Sequence, residues 1–108
     1  MSLALPEPLA TYFAKENQPG SGDVAELFAA DAVVHDERHA HRGHDAIAAW
    51  KAQARRKYHY RSEPLRLAPD GDRLVVTVRV EGDFPGSPVE LAYAFTVANG
   101  RIASLEIF

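Results

Sequence analysis

Asp36 and His35 close a run that otherwise reads as a core strand, Asp31-Ala32-Val33-Val34-His35-Asp36, so ionisable groups stand where apolar ones are the rule. A carboxylate at the mouth of an apolar pocket can take a proton from a carbon beside a carbonyl, because partial desolvation lifts its pKa toward the working pH. Asp36 is therefore the candidate general base. His35 is its neighbour on a strand, so the two side chains point to opposite faces unless the strand bends or bulges. The chain holds five histidines, His35, His39, His41, His44 and His59. His39 and His41 share a face of any strand and, with Asp36, raise the question of a metal site. No metal-protease helix motif accompanies them, and no metal or other cofactor is assigned. The plainer readings stay open beside these: Asp36 as a turn cap, and the histidines as solvated connectors.

Composition narrows the setting for such a site. A chain of 108 residues is expected to form one domain, residues 1–108, with a single core. With 46% hydrophobic and 25% charged residues it reads as globular and not as disordered. A net charge of -3 argues against nucleic acid as a partner, since backbone binding needs surplus Lys and Arg. The basic run Arg55-Arg56-Lys57 falls where a helix should end, and cations there complement the helix dipole. The chain has no cysteine, which removes disulfides, thiol catalysis and thiolate metal sites. Nothing in it resembles a nucleophile elbow, a phosphate loop or a dinucleotide fingerprint. The N-terminal Met-Ser-Leu-Ala-Leu-Pro-Glu-Pro lacks the basic and long apolar regions of a leader, and no segment has the apolar length to span a bilayer. The expectation is a cytoplasmic protein with no membrane partner.

Two periodicities divide the chain. Up to residue 58 apolar positions recur at helical spacing: Leu5, Leu9, Tyr12 and Phe13, then Val24, Leu27 and Phe28, then Ile47, Trp50, Ala54 and Tyr58. The cluster Asn17-Gln18-Pro19-Gly20-Ser21-Gly22 separates the first two of these three helices, and Asp23 with Glu26 offers a capping pair for the second. Beyond residue 58 the period falls to two. Val76, Val78 and Val80 alternate with polar residues, as do Val89, Leu91, Tyr93, Phe95 and Val97 with Glu90, Ala92, Ala94, Thr96 and Ala98. Asp70-Gly71-Asp72, Pro85-Gly86-Ser87 and Asn99-Gly100 punctuate the strands, and Asn-Gly is the strongest short hairpin signal. Helices followed by an antiparallel meander predict an α+β fold with helices on one face of a curved sheet.

The order of several strings resembles the SnoaL-like branch of the nuclear-transport-factor-2-like superfamily. They are Tyr12-Phe13-Ala14 with Asn17 and Gly22-Asp23, the run from Leu27 to Asp36, Arg42-Gly43-His44-Asp45-Ala46-Ile47 with Trp50, and Phe95-Thr96-Val97-Ala98-Asn99-Gly100-Arg101-Ile102. The resemblance implies three N-terminal helices packed on a strongly curved, mixed but mainly antiparallel sheet. That sheet forms a cystatin-like, cone-shaped half-barrel around an internal pocket. The superfamily holds isomerases, polyketide cyclases and binding modules, so fold alone does not assign a reaction. Within it, ketosteroid isomerases carry a base at the strand end that Asp36 occupies, and an oxyanion-binding tyrosine five residues before an Asn, as Tyr12 stands before Asn17. Their third group, a protonated acid on a late strand, is not matched; the stretch Glu90-Leu91-Ala92-Tyr93-Ala94-Phe95 offers Tyr93 as a donor instead.

The resulting expectation is a pocket for a small, largely apolar organic molecule, with proton transfer beside a carbonyl and no cofactor. Asp36 is the base, Tyr12 the oxyanion donor and His35 or His41 an auxiliary, while Trp50, Phe84, Tyr93 and His59 contact substrate. The alternative is a ligand-binding or dimeric interaction module without catalysis. The resemblance also implies a homodimer through the outer face of the sheet, where Thr77, Arg79 and Glu81 would meet a second copy.

Overall fold

Leu9, Tyr12, Phe13 and Glu16 are spaced to share one helical face. They build α1 (Leu9–Glu16) in a computed structural model that describes residues 4–16, 24–57 and 60–108. Glu7 caps this helix, its carboxylate accepting from the Thr11 backbone N–H at 3.2 Å and the Thr11 hydroxyl at 2.6 Å. The acid also sits at the positive end of the helix dipole. The second helix, α2, is a single turn (Val24–Leu27), and Phe28 opens strand β1 (Phe28–Asp36) instead of continuing the helix. Pairing of Phe28 with Ile102 across the sheet overrides the local helical spacing there. Strand β2 (His39–Arg42) follows, then helix α3 (Gly43–Lys57) and the strands β3 (Tyr60–Asp70), β4 (Arg73–Gly82), β5 (Val89–Ala98) and β6 (Arg101–Ile107). The expectation that all three helices precede the strands is thus corrected: a β1–β2 hairpin stands before α3. The residues 17–23 and 58–59, with the Asn17 and Asp23 assignments, lie outside the described residues.

The sheet has six strands in the order β2-β1-β6-β5-β4-β3, antiparallel except for the parallel β1–β6 pair. It is open, with β2 and β3 as edges. Both edge strands carry features that suit an edge. β2 is short and polar, and β3 contains Pro64 and Pro69, which cannot donate to a ladder, together with a register shift between Pro64 and Arg66.

Strand alternation sends Val76, Val78, Tyr93, Phe95, Leu105, Val34 and Ala32 to one face, where all are buried. Against this face α1 lays an aromatic cluster. Tyr12 meets Phe13, Phe28 and Phe95 edge-on at centroid distances of 5.1, 6.0 and 5.5 Å, and Phe13 meets Tyr93 at 5.6 Å. Each such pair adds about 0.5–1.5 kcal/mol beyond the area it buries. α3 contributes Ile47, fully buried, and crosses β1 and β2.

Two hairpins show one turn geometry reached by different means. Between β5 and β6 the turn residues Asn99 and Gly100 both have positive φ (55° and 79°), the type I′ geometry that the Asn-Gly pair predicted. Between β1 and β2 the same geometry falls on Glu37 (φ 52°) and Arg38 (φ 67°), neither of which favours it. Replacing this pair with the favoured residues, Glu37→Asn with Arg38→Gly, should raise unfolding stability by about 1 kcal/mol, the lower end of the left-handed penalty for one residue. A urea midpoint that rises without a change in slope is the expected reading, and an unchanged midpoint would refute the strain.

Candidate functional site

Asp36 ends the inward-facing series Ala32, Val34, Asp36, so the period that buries two apolar side chains carries a carboxylate to the same face. There it joins a pocket of about 540 Å³, within the range that small-molecule sites occupy. α3 holds Asp36 in place: the Trp50 indole Nε1–H donates to its Oδ2 at 3.0 Å. The His41 ring, on β2, stacks on that indole with centroids 5.9 Å apart and an angle of 30°. Asp36 is thus oriented by a donor that is itself held by a second ring. Burial raises its pKa above the ordinary carboxylate value of 3.8. The Trp50 hydrogen bond and the His41 charge pull it back, and the Glu37 carboxylate pushes it further up.

Tight pairing of the β1–β2 hairpin puts Glu37, His39 and His41 on the pocket wall beside Asp36. α3 adds Trp50, Gln53 and Ala54. The strands supply an apolar wall of Val80, Val89, Leu91 and Ile107, with Tyr93, while Phe84 reaches in from the β4–β5 connection.

A second polar group lines the same pocket. Glu16, only 5% exposed, accepts from Lys51 Nζ at 2.7 Å and from the Tyr60 hydroxyl at 2.6 Å. Lys51 Nζ also lies over the Tyr12 ring, 4.7 Å from its centroid, a cation–π contact. Trp50 and Lys51 are consecutive on α3, so their side chains leave the helix about 100° apart. One ties down Asp36 and the other Glu16.

The SnoaL-like domain family matches residues 9–105, nearly the whole chain. The chain belongs to the SnoaL-like domain family. A candidate polyketide cyclase from Sinorhizobium meliloti is similar to it at 44% identity, over 96% of this chain and 95% of that one, with a TM-score of 0.91. A candidate isomerase of the SnoaL-like family from Agrobacterium tumefaciens superposes with a TM-score of 0.77 at 22% identity, over 93% and 92% of the two chains. A protein of ketosteroid-isomerase-like fold from Catenulispora acidiphila, in complex with trimethylamine, gives 0.79 at 21% identity over 97% and 86%. These last two bear on the fold alone, which is α+β and nuclear-transport-factor-2-like. None of the curated proteins matches the chain.

In this SnoaL-like chain, Asp36, His41, Trp50, Phe84 and Tyr93 all line the pocket. Tyr12 does not: it is fully buried in the aromatic cluster and is not among the lining residues, so it lies where a substrate oxyanion does not reach. Its hydroxyl lies near Glu16 without the geometry of a hydrogen bond and has no partner among the described residues. Burial, then the Glu16 charge, pushes its pKa well above the usual phenol range. His35 is exposed on the opposite face of β1, as strand alternation requires, and is not among the pocket-lining residues. His44 Nε2 meets the Phe28 carbonyl oxygen at 2.8 Å, a bond that fixes the start of α3 against β1. His59 lies outside the described residues. No group of three metal-ligating side chains converges among the described residues.

Sequence reasoning missed Glu16, Lys51, Tyr60 and Glu37. The signal for the first two was present: Glu16 continues the stripe of Leu9, Tyr12 and Phe13 at i+7, and Lys51 continues that of Ile47 at i+4. Opposite charges on two buried stripes predict a pair.

The raised pKa of Asp36 has a consequence for stability. The folded state holds this proton more tightly than the unfolded chain, so between pH 3.8 and the raised folded value stability falls as pH rises. Asp36→Asn keeps an oxygen for Trp50 and removes the charge. It should therefore melt at a higher temperature than the parent protein at neutral pH, and the gap should close below pH 3.8, where Asp36 is protonated in both states. Melting curves from pH 3 to 8 test this, roughly the range where carboxylates titrate; a gap independent of pH would overturn it.

Proposed function

We propose that the protein binds a small, largely apolar carbonyl compound in this pocket and moves a proton at the adjacent carbon, with Asp36 as the general base. The observation that carries the reading is the Asp36 carboxylate itself, partly desolvated on the wall of an apolar pocket and oriented by Trp50. The C–H bond breaks to Asp36, its electron pair becomes the enolate, and the proton returns to carbon from the same carboxyl group. In this reading the helices close the open sheet into the cone of the fold, with the pocket inside. Tyr93, on the pocket wall, is the donor to the enolate oxygen in place of the sealed Tyr12. His41 is a positioning residue, acting through Trp50. The reaction is of the isomerase or cyclase type and needs no cofactor. The S. meliloti relative, a candidate polyketide cyclase, supports this class.

A second reading, ligand binding without turnover, is favoured by one observation: the phenol that the resemblance places beside the base is sealed away in the core. Exchange of the α-hydrogens of 2-tetralone into deuterated water, followed by proton NMR, separates the two. The parent protein should accelerate exchange, and Asp36→Asn should lower the rate at least about 100-fold, the low end of general-base contributions. Tyr12→Phe should leave it within about twofold, as for a substitution away from the reacting atoms. The rate should fall with one proton on the acid side, at a midpoint above the ordinary carboxylate value of 3.8, because the base must be ionised. Exchange untouched by Asp36→Asn would leave only the binding reading.

The chain pairs, in our proposal, as a homodimer through the outer face of the sheet. At its centre this face carries small side chains, Thr77 opposite Ala92 and Thr96 bonded to Ser104 at 2.6 Å. Ion pairs Arg66–Glu90 and Arg79–Glu81 flank it. Thr77→Arg should convert a dimer to a monomer in sedimentation equilibrium; a parent protein that is monomeric at high concentration would refute the interface.

A further inference from the structure

We propose that Glu16, Lys51 and Tyr60 form a second polar subsite that binds a neutral hydroxyl group of the ligand, away from the carbon whose proton Asp36 moves. This deepens the proton-transfer reading and rests on it only for where the carbonyl sits. The cluster is built into the pocket: Glu16 and Tyr60 are on its wall, and Lys51 holds the carboxylate from behind at 2.7 Å.

Two features show that the cluster is more than structural cement. A buried ion pair is a poor source of stability, because desolvation offsets the attraction and an apolar pair of equal volume does as well. Yet both charges stand on the apolar stripes of α1 and α3, where Leu or Ala would pack at no such cost. The Tyr12 hydroxyl, sealed in the core beside the Glu16 charge, is a second buried polar group of this kind. Buried polar groups on the wall of a pocket are where a ligand's polar group is read.

The chemistry of the cluster selects the group. An anion would face the Glu16 carboxylate, with Asp36 and Glu37 also on the wall. A cation would face the Lys51 ammonium that already neutralises Glu16. A neutral hydroxyl fits both constraints. It donates to the carboxylate or to the Tyr60 oxygen, both of which accept. The same pocket is lined by Leu91, Tyr93 and Ile107, which suit an apolar ring system. The substrate class is therefore a hydroxylated cyclic ketone, polar at both ends and apolar between them.

The test compares 2-tetralone with 6-hydroxy-2-tetralone, whose hydroxyl is on the ring remote from the ketone, by calorimetric titration. The parent protein should bind the hydroxylated probe about tenfold more tightly or better, as sites built to hydrogen-bond a hydroxyl discriminate against its absence. Tyr60→Phe and Glu16→Gln should each bring the affinities of the two probes to within about twofold of one another. Tyr60→Phe leaves the ion pair intact, so the comparison stands even where Glu16→Gln fails to fold. Equal affinity of the parent protein for the two probes, including no measurable binding of either, overturns the subsite, as does a preference that survives both substitutions. Failure of the proton-transfer reading shows separately, as α-hydrogen exchange indifferent to Asp36→Asn with the hydroxyl preference intact.

Discussion

A carboxylate placed on the buried stripe of a helix must be neutralised, and in this protein that requirement ties α1 to α3 through one ion pair. Glu16 sits among Leu9, Tyr12 and Phe13, and Lys51 answers it from the equivalent stripe of α3. Removing one partner of such a pair leaves an uncompensated charge in a low-dielectric setting, a cost of about 3–5 kcal/mol. The pair therefore restricts how α3 rotates and slides over the sheet. With Lys51 fixed, its neighbour Trp50 is fixed as well, and through Trp50 the orientation of Asp36. One electrostatic constraint between two helices sets the geometry of a group on a strand.

The other half of that geometry comes from the β1–β2 hairpin. Asp36 lies at the last position of β1, directly before the turn, and pairs with His39 across it. A two-residue turn with positive φ at both Glu37 and Arg38 is tight, and its tightness is what swings Glu37, His39 and His41 onto the same wall as Asp36. A looser connection would let β2 slip by a residue, and a one-residue slip would send both histidines to the outer face. His41 would then leave Trp50, and the indole that bonds Asp36 would lose the ring stacked on it. The unfavourable backbone at Glu37 and Arg38 is thus coupled to the register that assembles the site.

Much of this fold was legible in the sequence. The alternation of Val76, Val78 and Val80, and of Leu91, Tyr93 and Phe95, marked β4 and β5, and Asn99-Gly100 marked the β5–β6 turn, because these signals are local and no long-range pairing opposes them. Phe28 was misread as helical because its partner, Ile102, is distant in sequence. The polar His39-Ala40-His41-Arg42 stretch reads as a connector since an edge strand needs no apolar alternation. At the site, period two placed Asp36 inward and His35 outward, and both hold. Tyr12 was the residue whose surroundings stayed open. Its position on the buried face of α1 was correct, but whether a buried phenol meets a cavity or only other rings depends on Phe28 and Phe95, which reach it from distant strands.

The sealing of Tyr12 shifts the demands on the rest of the pocket. If the hydroxyl nearest the aromatic core cannot reach a substrate oxygen, stabilisation of developing negative charge falls to groups on the wall. Of the phenols there, Tyr93 stands at the centre of β5 beside the apolar wall, and our proposal gives it that role. A phenol anchored on a central strand between Phe13 and Phe95 is held by ring contacts on both sides, and the preorganisation that makes such a donor effective is then supplied by the sheet. The helices, for their part, hold the two carboxylates. This division makes the proposed base and polar subsite depend on the seating of α3, while the proposed oxyanion donor depends on the register of β5. Substitutions that disturb one should leave the other in place, so the two contributions are separable within a domain of this size.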